Sequence, residues 1–457
     1  MQVLKKFSAI LLSLLLGSCG LIEKSEPMPQ QSFNYQNSVP QNMVETTDYS
    51  HVDLGNAESF RVAMLLPLSG KVEAMGQNMK NAAMMAVGDL NNNNLVVQFY
   101  DTKGTTSGAR IAIENALNAK SDLIIGPLLG EEVAAITETA KSAEIPVISF
   151  STAPNVLQDG IYTMGLLNEE QIERIIRYSV ARGRLKLAVV LPDNQSGFNM
   201  FKAAMSAAQR HGATIVKAGF YAPNTMDFTS LVTQIAGPER VKTSQIKIKP
   251  GEKSKEPQET EITPLDFDAL LIPEFGNRLK SVTSMFSFYD VSAPEVLFLG
   301  TSVWGNTNLS KETELYGAAY PVMSMARLAR FKQKYYAMFN QKSNDLSIFA
   351  YDAVALASAL SRKDKDYLKE EITSVDGFYG LSGAFRIFSN GKNEHGLDIV
   401  RVASGSPQIV ETAPNKFYTA SPAYAQSLSA DENTLLQMPQ IYGKNAEELK
   451  QLLLDVQ

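Results

Sequence analysis

The chain predicts an α/β fold built from parallel sheets in two successive lobes, and three observations carry that expectation. Short continuous apolar runs such as Leu123-Ile124-Ile125 read as strands with helices over both faces. These runs alternate with segments whose apolar residues recur every three or four positions, the spacing of one helix face. The alternation runs β-α-β-α-β-α-β between residues 61 and 150 and then begins again. Such a pattern predicts parallel strands joined by right-handed crossovers.

Arg61–Leu66 is the first strand, ended by the turn Pro67-Leu68-Ser69-Gly70. A helix over 76–90 follows, with Met79, Ala82, Ala83, Ala86, Val87 and Leu90 on one face; that stripe reads as core rather than as a ligand box. Leu95–Tyr100 is the second strand, and the next helix carries Ala109, Ala112, Ile113, Ala116 and Leu117. After Leu123–Ile125, Gly126-Pro127 marks a turn, and Glu131 and Glu132 sit in the first turn of a helix, where its dipole favours carboxylates. Val147–Phe150 is the fourth strand. In the repeat, a helix with Ile172, Ile175, Ile176 and Val180 leads to strand Leu187–Leu191, a loop over Asp193–Gly197, and a helix to His211. Strand Thr214–Phe220, a helix over 228–235, strand Ala269–Ile272, a helix over 276–289 and strand Val296–Leu299 follow. From Gly317 the chain is expected to leave the second lobe through a basic, aromatic helix (Arg327, Arg330, Lys332, Lys334, Tyr335, Tyr336, Phe339) and an Ala-rich helix, Ser347–Leu360. Ala384–Phe388 and Leu397–Val402 read as the two strands of a hairpin turning at Ser389–Lys392, and a terminal helix is expected near 446–454.

A length of 457 residues, 44% hydrophobic, gives a globular chain of two or three domains. The net charge of −6 disfavours nucleic-acid binding. One Cys and three His leave no internal disulfide and no zinc spacing, and neither a metal nor another cofactor is expected. No Gly-x-Ser-x-Gly elbow, phosphate loop or His-Glu-x-x-His motif appears, and Ser69 has no identifiable base, so no catalytic residue is assigned.

Lys5-Lys6 and the apolar run Phe7–Leu16 form a secretory leader too short to span a bilayer. Leu16-Gly17-Ser18-Cys19 resembles the lipobox of bacterial lipoproteins, in which the cysteine is acylated after the leader is cut. The solitary Cys19 is thus expected to anchor the chain in a membrane, and Gly20 is compatible with sorting to the outer membrane, its inner leaflet facing the periplasm. Residues 1–18 are the leader and 19–56 a flexible tether poor in apolar periodicity. The Lys-, Glu- and Pro-rich stretch 239–264 reads as a mobile, solvated insertion.

Pro67-Leu68-Ser69-Gly70, Gly76, Asp101, Ile125-Gly126-Pro127, Ile145-Pro146-Val147-Ile148-Ser149, Tyr351-Asp352-Ala353 and Tyr379-Gly380 with Gly383 resemble, in order, the type I periplasmic binding proteins of the leucine/isoleucine/valine class. The resemblance covers about 57–412 and implies two Rossmann-like lobes with parallel sheets, joined by three crossings, with a ligand cleft between them. On that basis lobe 1 is 57–178 plus 317–371, lobe 2 is 179–316 plus 372–412, and 413–457 is an extension. It also implies cleft residues: Ser69, Gly70, Leu128, Ser149, Ser151, Thr152 and Ser196 from the turns, with Ser302 standing where amino-acid binders place a carboxylate for the ligand amine. Glu274 is the alternative carboxylate, and Trp304 is either a cleft residue or buried packing.

Within the class, Tyr100-Asp101-Thr102, Gly126-Pro127-Leu128-Leu129 with Val133, and Tyr162-Thr163-Met164-Gly165-Leu166 are most similar to the penicillin-binding protein activators, the LpoA-type lipoproteins. That likeness implies a non-catalytic periplasmic lipoprotein that activates a penicillin-binding protein, a peptidoglycan synthase, by contact. The alternative is a lipid-anchored receptor that delivers an amino acid or related small molecule to an ABC transporter.

Overall fold

The computed structural model of the chain describes residues 43–45, 59–238, 240, 263–417 and 438–454. The leader, Cys19, most of the 19–56 tether and nearly all of the 239–264 insertion lie outside the described residues.

The first lobe follows the predicted alternation: β1 (Met43–Glu45), β2 (Phe60–Leu66), α1 (Glu73–Leu90), β3 (Leu95–Asp101), α2 (Thr106–Asn118), β4 (Leu123–Ile125), α3 (Gly130–Ser142), β5 (Val147–Ser149) and β6 (Ile161–Thr163). The strands pair in the order β1-β3-β2-β4-β5-β6, all parallel. Residues of β2 alternate between two cores. Val62, Met64 and Leu66 join the core under α1, and Ala63 and Leu65 the core under α2 and α3. That two-sided burial is why the strand reads as a continuous apolar run.

The second lobe begins with α4 (Asn168–Val180) and runs through β7 (Lys186–Pro192), α5 (Gln195–His211), β8 (Thr214–Tyr221), α6 (Thr229–Ala236), β9 (Ala269–Leu271), α7 (Gly276–Phe288), β10 (Leu297–Leu299) and β11 (Ala319–Val322). The chain then returns to lobe 1 with α8 (Met325–Phe339), α9 (Ser347–Leu360), α10 (Leu368–Ile372) and the strands β12 (Phe378–Tyr379), β13 (Ala384–Ile387) and β14 (Asn393–His395). It ends in lobe 2 with β15 (Asp398–Arg401), β16 (Gln408–Glu411), β17 (Gln440–Tyr442) and α11 (Ala446–Leu454). The eight-stranded sheet has the order β16-β15-β11-β10-β9-β7-β8-β17, all running one way except β15, which is antiparallel to both β11 and β16. Its two faces are filled by α4 and α5 on one side and by α6 and α7 on the other.

The lobe boundaries differ from those read from sequence. Ile172, Ile175 and Ile176 of α4 pack with Leu187 and Phe201, so α4 belongs to lobe 2 although most of it precedes residue 179, the expected start of lobe 2. β11, which follows Gly317, still pairs with β10. Conversely, Phe385 and Ile387 of β13 join the lobe 1 core. The hairpin also differs: the strand returning from Ser389–Lys392 is β14, and 398–401 pairs instead with β11 in the other sheet. Within the insertion, Arg240 is buried rather than solvated; it donates to the carbonyls of Tyr289, Thr263 and Asp290 and pairs with Glu295. Met43–Glu45, within the stretch read as tether, adds a parallel edge strand beside β3.

Candidate functional site

Parallel strands leave their carboxyl ends at one edge of a sheet, and ligands of open α/β sheets collect there. In lobe 1 that edge carries the turns after β2, β3, β4 and β5. The turn after β2 is shaped by Asp101, whose Oδ1 accepts the N–H groups of Leu68 (2.9 Å), Ser69 (3.2 Å) and Lys103 (2.8 Å) while Oδ2 accepts the Ser69 hydroxyl (2.6 Å). Burial alone would raise this carboxyl; the bonds from Ser69, Lys103 and Leu68 together outweigh it and hold Asp101 below its ordinary range. Ser69 is therefore a turn-forming residue with its proton directed at a carboxylate, and Gly70 beside it is exposed, with φ +88°.

After β4 the backbone turns through Gly126, at φ +92°, where a Cβ would collide with the Leu65 carbonyl. Only glycine fits that close approach. The turn carries Leu128, buried, into α3, where the Glu132 carboxylate reaches back to the Leu129 N–H at 3.0 Å. Burial pushes Glu132 above the ordinary carboxylate range. Ser149 ends β5 fully buried, its hydroxyl without a hydrogen-bond partner among the described residues. The Ser151 hydroxyl accepts from its own loop, the Ala153 N–H at 3.2 Å, while Thr152 is exposed. The structure thus gathers Ser69, Gly70, Leu128, Ser149, Ser151 and Thr152 at the ends of β2, β4 and β5, with Ser69 and Ser151 already engaged.

In lobe 2 the corresponding edge follows β7 to β10. The expected loop 193–197 is shorter than predicted, because α5 starts at Gln195; Asn194 caps it by accepting the Gly197 N–H (2.9 Å), leaving Ser196 exposed in the first turn. After β9, Glu274 is 3% exposed and accepts from the Tyr221 hydroxyl (2.7 Å) and the Phe275 N–H (2.9 Å). Arg278, one helical turn on, pairs with it at 2.9 Å. Burial pushes the Tyr221 phenol up, and the Glu274 bond adds to this. Beyond Glu274, Phe275 is 54% exposed, as is Met226 in the loop after β8 at 61%. The Ser302 N–H is taken by the Gln171 side chain of α4 at 2.8 Å. Trp304 is no cleft residue: it has no exposed surface, packs with Tyr320, and donates its indole N–H to the Ile272 carbonyl at 2.8 Å. A buried indole needs such an acceptor, and the end of β9 supplies it.

Three segments carry the chain between lobes: 164–167, 323–324 and 396–397. Side chains missed from sequence cluster beside them. Glu170 of α4 accepts the His395 N–H (2.8 Å) and lies 3.2 Å from His395 Nδ1. Asn393 donates to the carbonyls of Thr163 (3.1 Å) and Gly165 (2.8 Å). Asp352, fully buried in α9, accepts the N–H groups of Leu381 (2.7 Å) and Ser382 (2.8 Å); burial raises its carboxyl and these bonds oppose the rise. The acidic residue in Tyr351-Asp352-Ala353 and the Gly380…Gly383 turn are single motifs in sequence; their contact appears only after folding. Among the described residues no group of His, Cys, Asp and Glu is placed to hold a metal.

Comparison with known proteins places this architecture. Residues 59–407 match the family described as periplasmic binding protein. A putative branched-chain amino acid ABC transporter protein from Rhodospirillum rubrum superposes with a TM-score of 0.63 at 14% identity, covering 77% of this chain and 100% of that one. A branched-chain amino acid transporter ligand-binding protein from Burkholderia xenovorans LB400 gives 0.59 at 14% identity, covering 82% and 98%. A solute-binding protein from Rhodopseudomonas palustris, in complex with 3,4-dihydroxybenzoic acid, gives 0.54 at 16% identity, covering 80% and 99%. At such identities the likeness shows the fold alone. Among curated sequences, the uncharacterized protein RP748 of Rickettsia prowazekii is 27% identical over 121 residues, 26% of this chain and 32% of the relative. The Leu/Ile/Val-binding protein BraC3 of Rhizobium johnstonii is 23% identical over 189 residues, 38% and 50%. The chain thus spans 32% and 50% of the length of these curated relatives. With parallel sheets in two lobes, three crossings and a match over residues 59–407, the chain belongs to the periplasmic binding protein family.

Proposed function

We propose that the protein is a non-catalytic periplasmic component that acts by contacting a penicillin-binding protein and stabilising its active state. Cys19 as lipid anchor, residues 20–42 as tether and an outer-membrane location are parts of this reading. The observation that carries it is the state of Glu274. An amino-acid ligand brings an ammonium group that needs a carboxylate partner in the cleft. Glu274 is already held by Tyr221, Phe275 and Arg278, and Ser302 stands at the other expected position with its N–H occupied by Gln171. The sequence likeness to the activator lipoproteins, at Tyr100-Asp101-Thr102 and Gly126-Pro127-Leu128-Leu129, points the same way.

The test is to cross-link the chain in detergent-solubilised envelope and to assay synthase rate with purified chain. The expected result is recovery of a bifunctional penicillin-binding protein and an increased transpeptidase or glycosyltransferase rate. Recovery of no cell-wall synthase, with the rate unchanged at saturating protein, sinks the proposal.

A second reading, a receptor delivering a solute to an ABC transporter, is favoured by Phe275 and Met226, which leave apolar surface at the lobe 2 edge of the cleft. Structural relatives named as transporter-binding proteins support it too. Calorimetric titration with the common amino acids and with benzoate-type acids separates the two. Binding no tighter than about millimolar, roughly −4 kcal/mol, is expected from the first reading, and a micromolar ligand establishes the second.

A further inference from the structure

Lobe 2 carries a second concavity, remote from the cleft, of about 520 Å³. Its lining is Ser284 and Ser287 from the last turns of α7, Ser292 and Ala293 from the loop that follows, and Thr313, Glu314 and Tyr316 from the turn before β11. Gly276 begins α7 at the cleft edge, and Ser284 to Ser287 lie eight to eleven residues further on. At 1.5 Å per residue that is about 12–16 Å along the helix. The site is therefore separate from the groups after β9 and does not depend on which reading of the cleft holds.

Five of these seven residues carry hydroxyls. The Ser284 hydroxyl donates to Glu314 Oε1 at 2.9 Å, and the Tyr316 hydroxyl donates to the Ser310 carbonyl at 2.7 Å. The hydroxyls of Ser287, Ser292 and Thr313 make no hydrogen bond to other described residues. Each is free to donate one bond and accept others. Glu314 adds a carboxylate already oriented by Ser284. No cation lines the concavity, and the neighbouring Lys280 is tied to Glu312 at 2.6 Å, so nothing here selects an anion.

Phe288 lies outside this lining, one helical turn beyond Ser284. It stands four residues after Ser284 and so on the same helix face. It is 59% exposed, and Tyr289 packs edge-on against it with ring centroids 5.1 Å apart. A solvent-facing aromatic ring one helical turn from Ser284, with hydroxyls that bond to no other described residue and one carboxylate, matches a ligand that has an apolar C–H face and a rim of hydroxyls. The volume also lies within the range of small-ligand sites, about 300–1,000 Å³. We propose that this concavity is a binding site for a neutral saccharide, whose ring stacks on Phe288 while its hydroxyls bond to Ser287, Ser292, Thr313 and Glu314.

The test uses the full chain and three tetrasaccharide probes, those of β-1,4-glucose, α-1,4-glucose and N-acetylglucosamine. Ligand-observed saturation-transfer NMR and calorimetry would be run to about 10 mM. At least one probe is expected to bind, and Phe288→Ala and Thr313→Val are each expected to weaken it about five-fold or more, the equivalent of one lost contact. Both positions are at the surface, so the thermal midpoint should stay unchanged. If either variant fails to fold, Ser287→Val provides the same comparison. Absence of transfer from all three probes, or binding that survives the substitutions undiminished, overturns the proposal.

Discussion

Asp352 has no exposed surface, and its carboxylate holds the N–H groups of Leu381 and Ser382. Truncation leaves the buried Ser382 N–H and the half-buried Leu381 N–H without an acceptor. Asp352→Ala is therefore expected to cost on the order of 2–4 kcal/mol in urea unfolding, whereas exposed Thr152→Ala should stay within about 0.5. Asp101 behaves differently because its pKa is lowered. A carboxyl held below its ordinary range contributes stability above that range and loses it as pH falls through the lowered value. Asp352, Glu132 and Glu394, which burial raises, act in the opposite sense: their native-state contribution is fullest in acid and is lost as pH rises from the ordinary carboxylate range through their raised values. The informative measurement is thus the difference between wild type and Asp101→Asn across a pH series. The gap is expected to be constant near neutrality and to close below about pH 4. A gap that does not vary with pH would show that the Asp101 clamp does not depend on its charge.

At the scale of elements, α1 and α9 pack closely because small residues meet: Ala82, Ala83 and Ala86 on one helix, Ala350, Ala353 and Ala357 on the other, all without exposed surface. Ala353→Leu forces extra methyl groups into that contact and is expected to cost about 1–3 kcal/mol, read as a lower denaturant midpoint with unchanged slope. The Ala-rich character of α9 was legible in sequence, as were β2 to β5 and β7 to β10, because strands covered on both faces and amphipathic helices leave strong periodic signals. β6, β11 and β17 left almost none. Each has three or four residues and becomes a strand because a neighbour offers an edge, as β8 does for β17. The partner of β13 was misread for the same reason: Asn393–His395 is polar, and its pairing is fixed by Glu170 and by the carbonyls around Thr163, not by its own propensity. Turn residues of the cleft could be located from Gly126-Pro127 and Ser69-Gly70. The closure of Glu274 by Tyr221 could not, since the two lie far apart in the chain, at the ends of β9 and β8 with β7 between them in the sheet; the i,i+4 spacing of Glu274 and Arg278 was the one local sign.

In the whole molecule, each lobe is a sheet between two helical layers, and the chain passes between lobes three times. α4 gathers much of the polar traffic at those passages. Lys392 pairs with Glu169 at 2.7 Å, and Arg174 donates to the Leu397 carbonyl at 3.2 Å and pairs with Glu411 at 2.8 Å. Lobe 2 is also closed along its other edge by β17 and α11, with Leu449 in its core and Lys444 bonded to Asp193 at 3.0 Å. The residues most informative beyond the cleft are those around Arg240. Its guanidinium donates to the Thr263 carbonyl at 2.8 Å and to the carbonyls of Tyr289 and Asp290, so the two chain ends flanking 241–262 are stitched to each other and to the end of α7. Replacement of 241–262 by a short Gly-Ser link should leave the unfolding midpoint unchanged, since closure entropy changes slowly with length. Arg240→Ala, which strands several carbonyls, should lower it by about 2–4 kcal/mol equivalent. A segment whose two ends are fastened side by side is also a natural insertion point for a fluorescent reporter, giving a fusion whose optical output reads the state of lobe 2 while Cys19 and the cleft turns keep their native sequence.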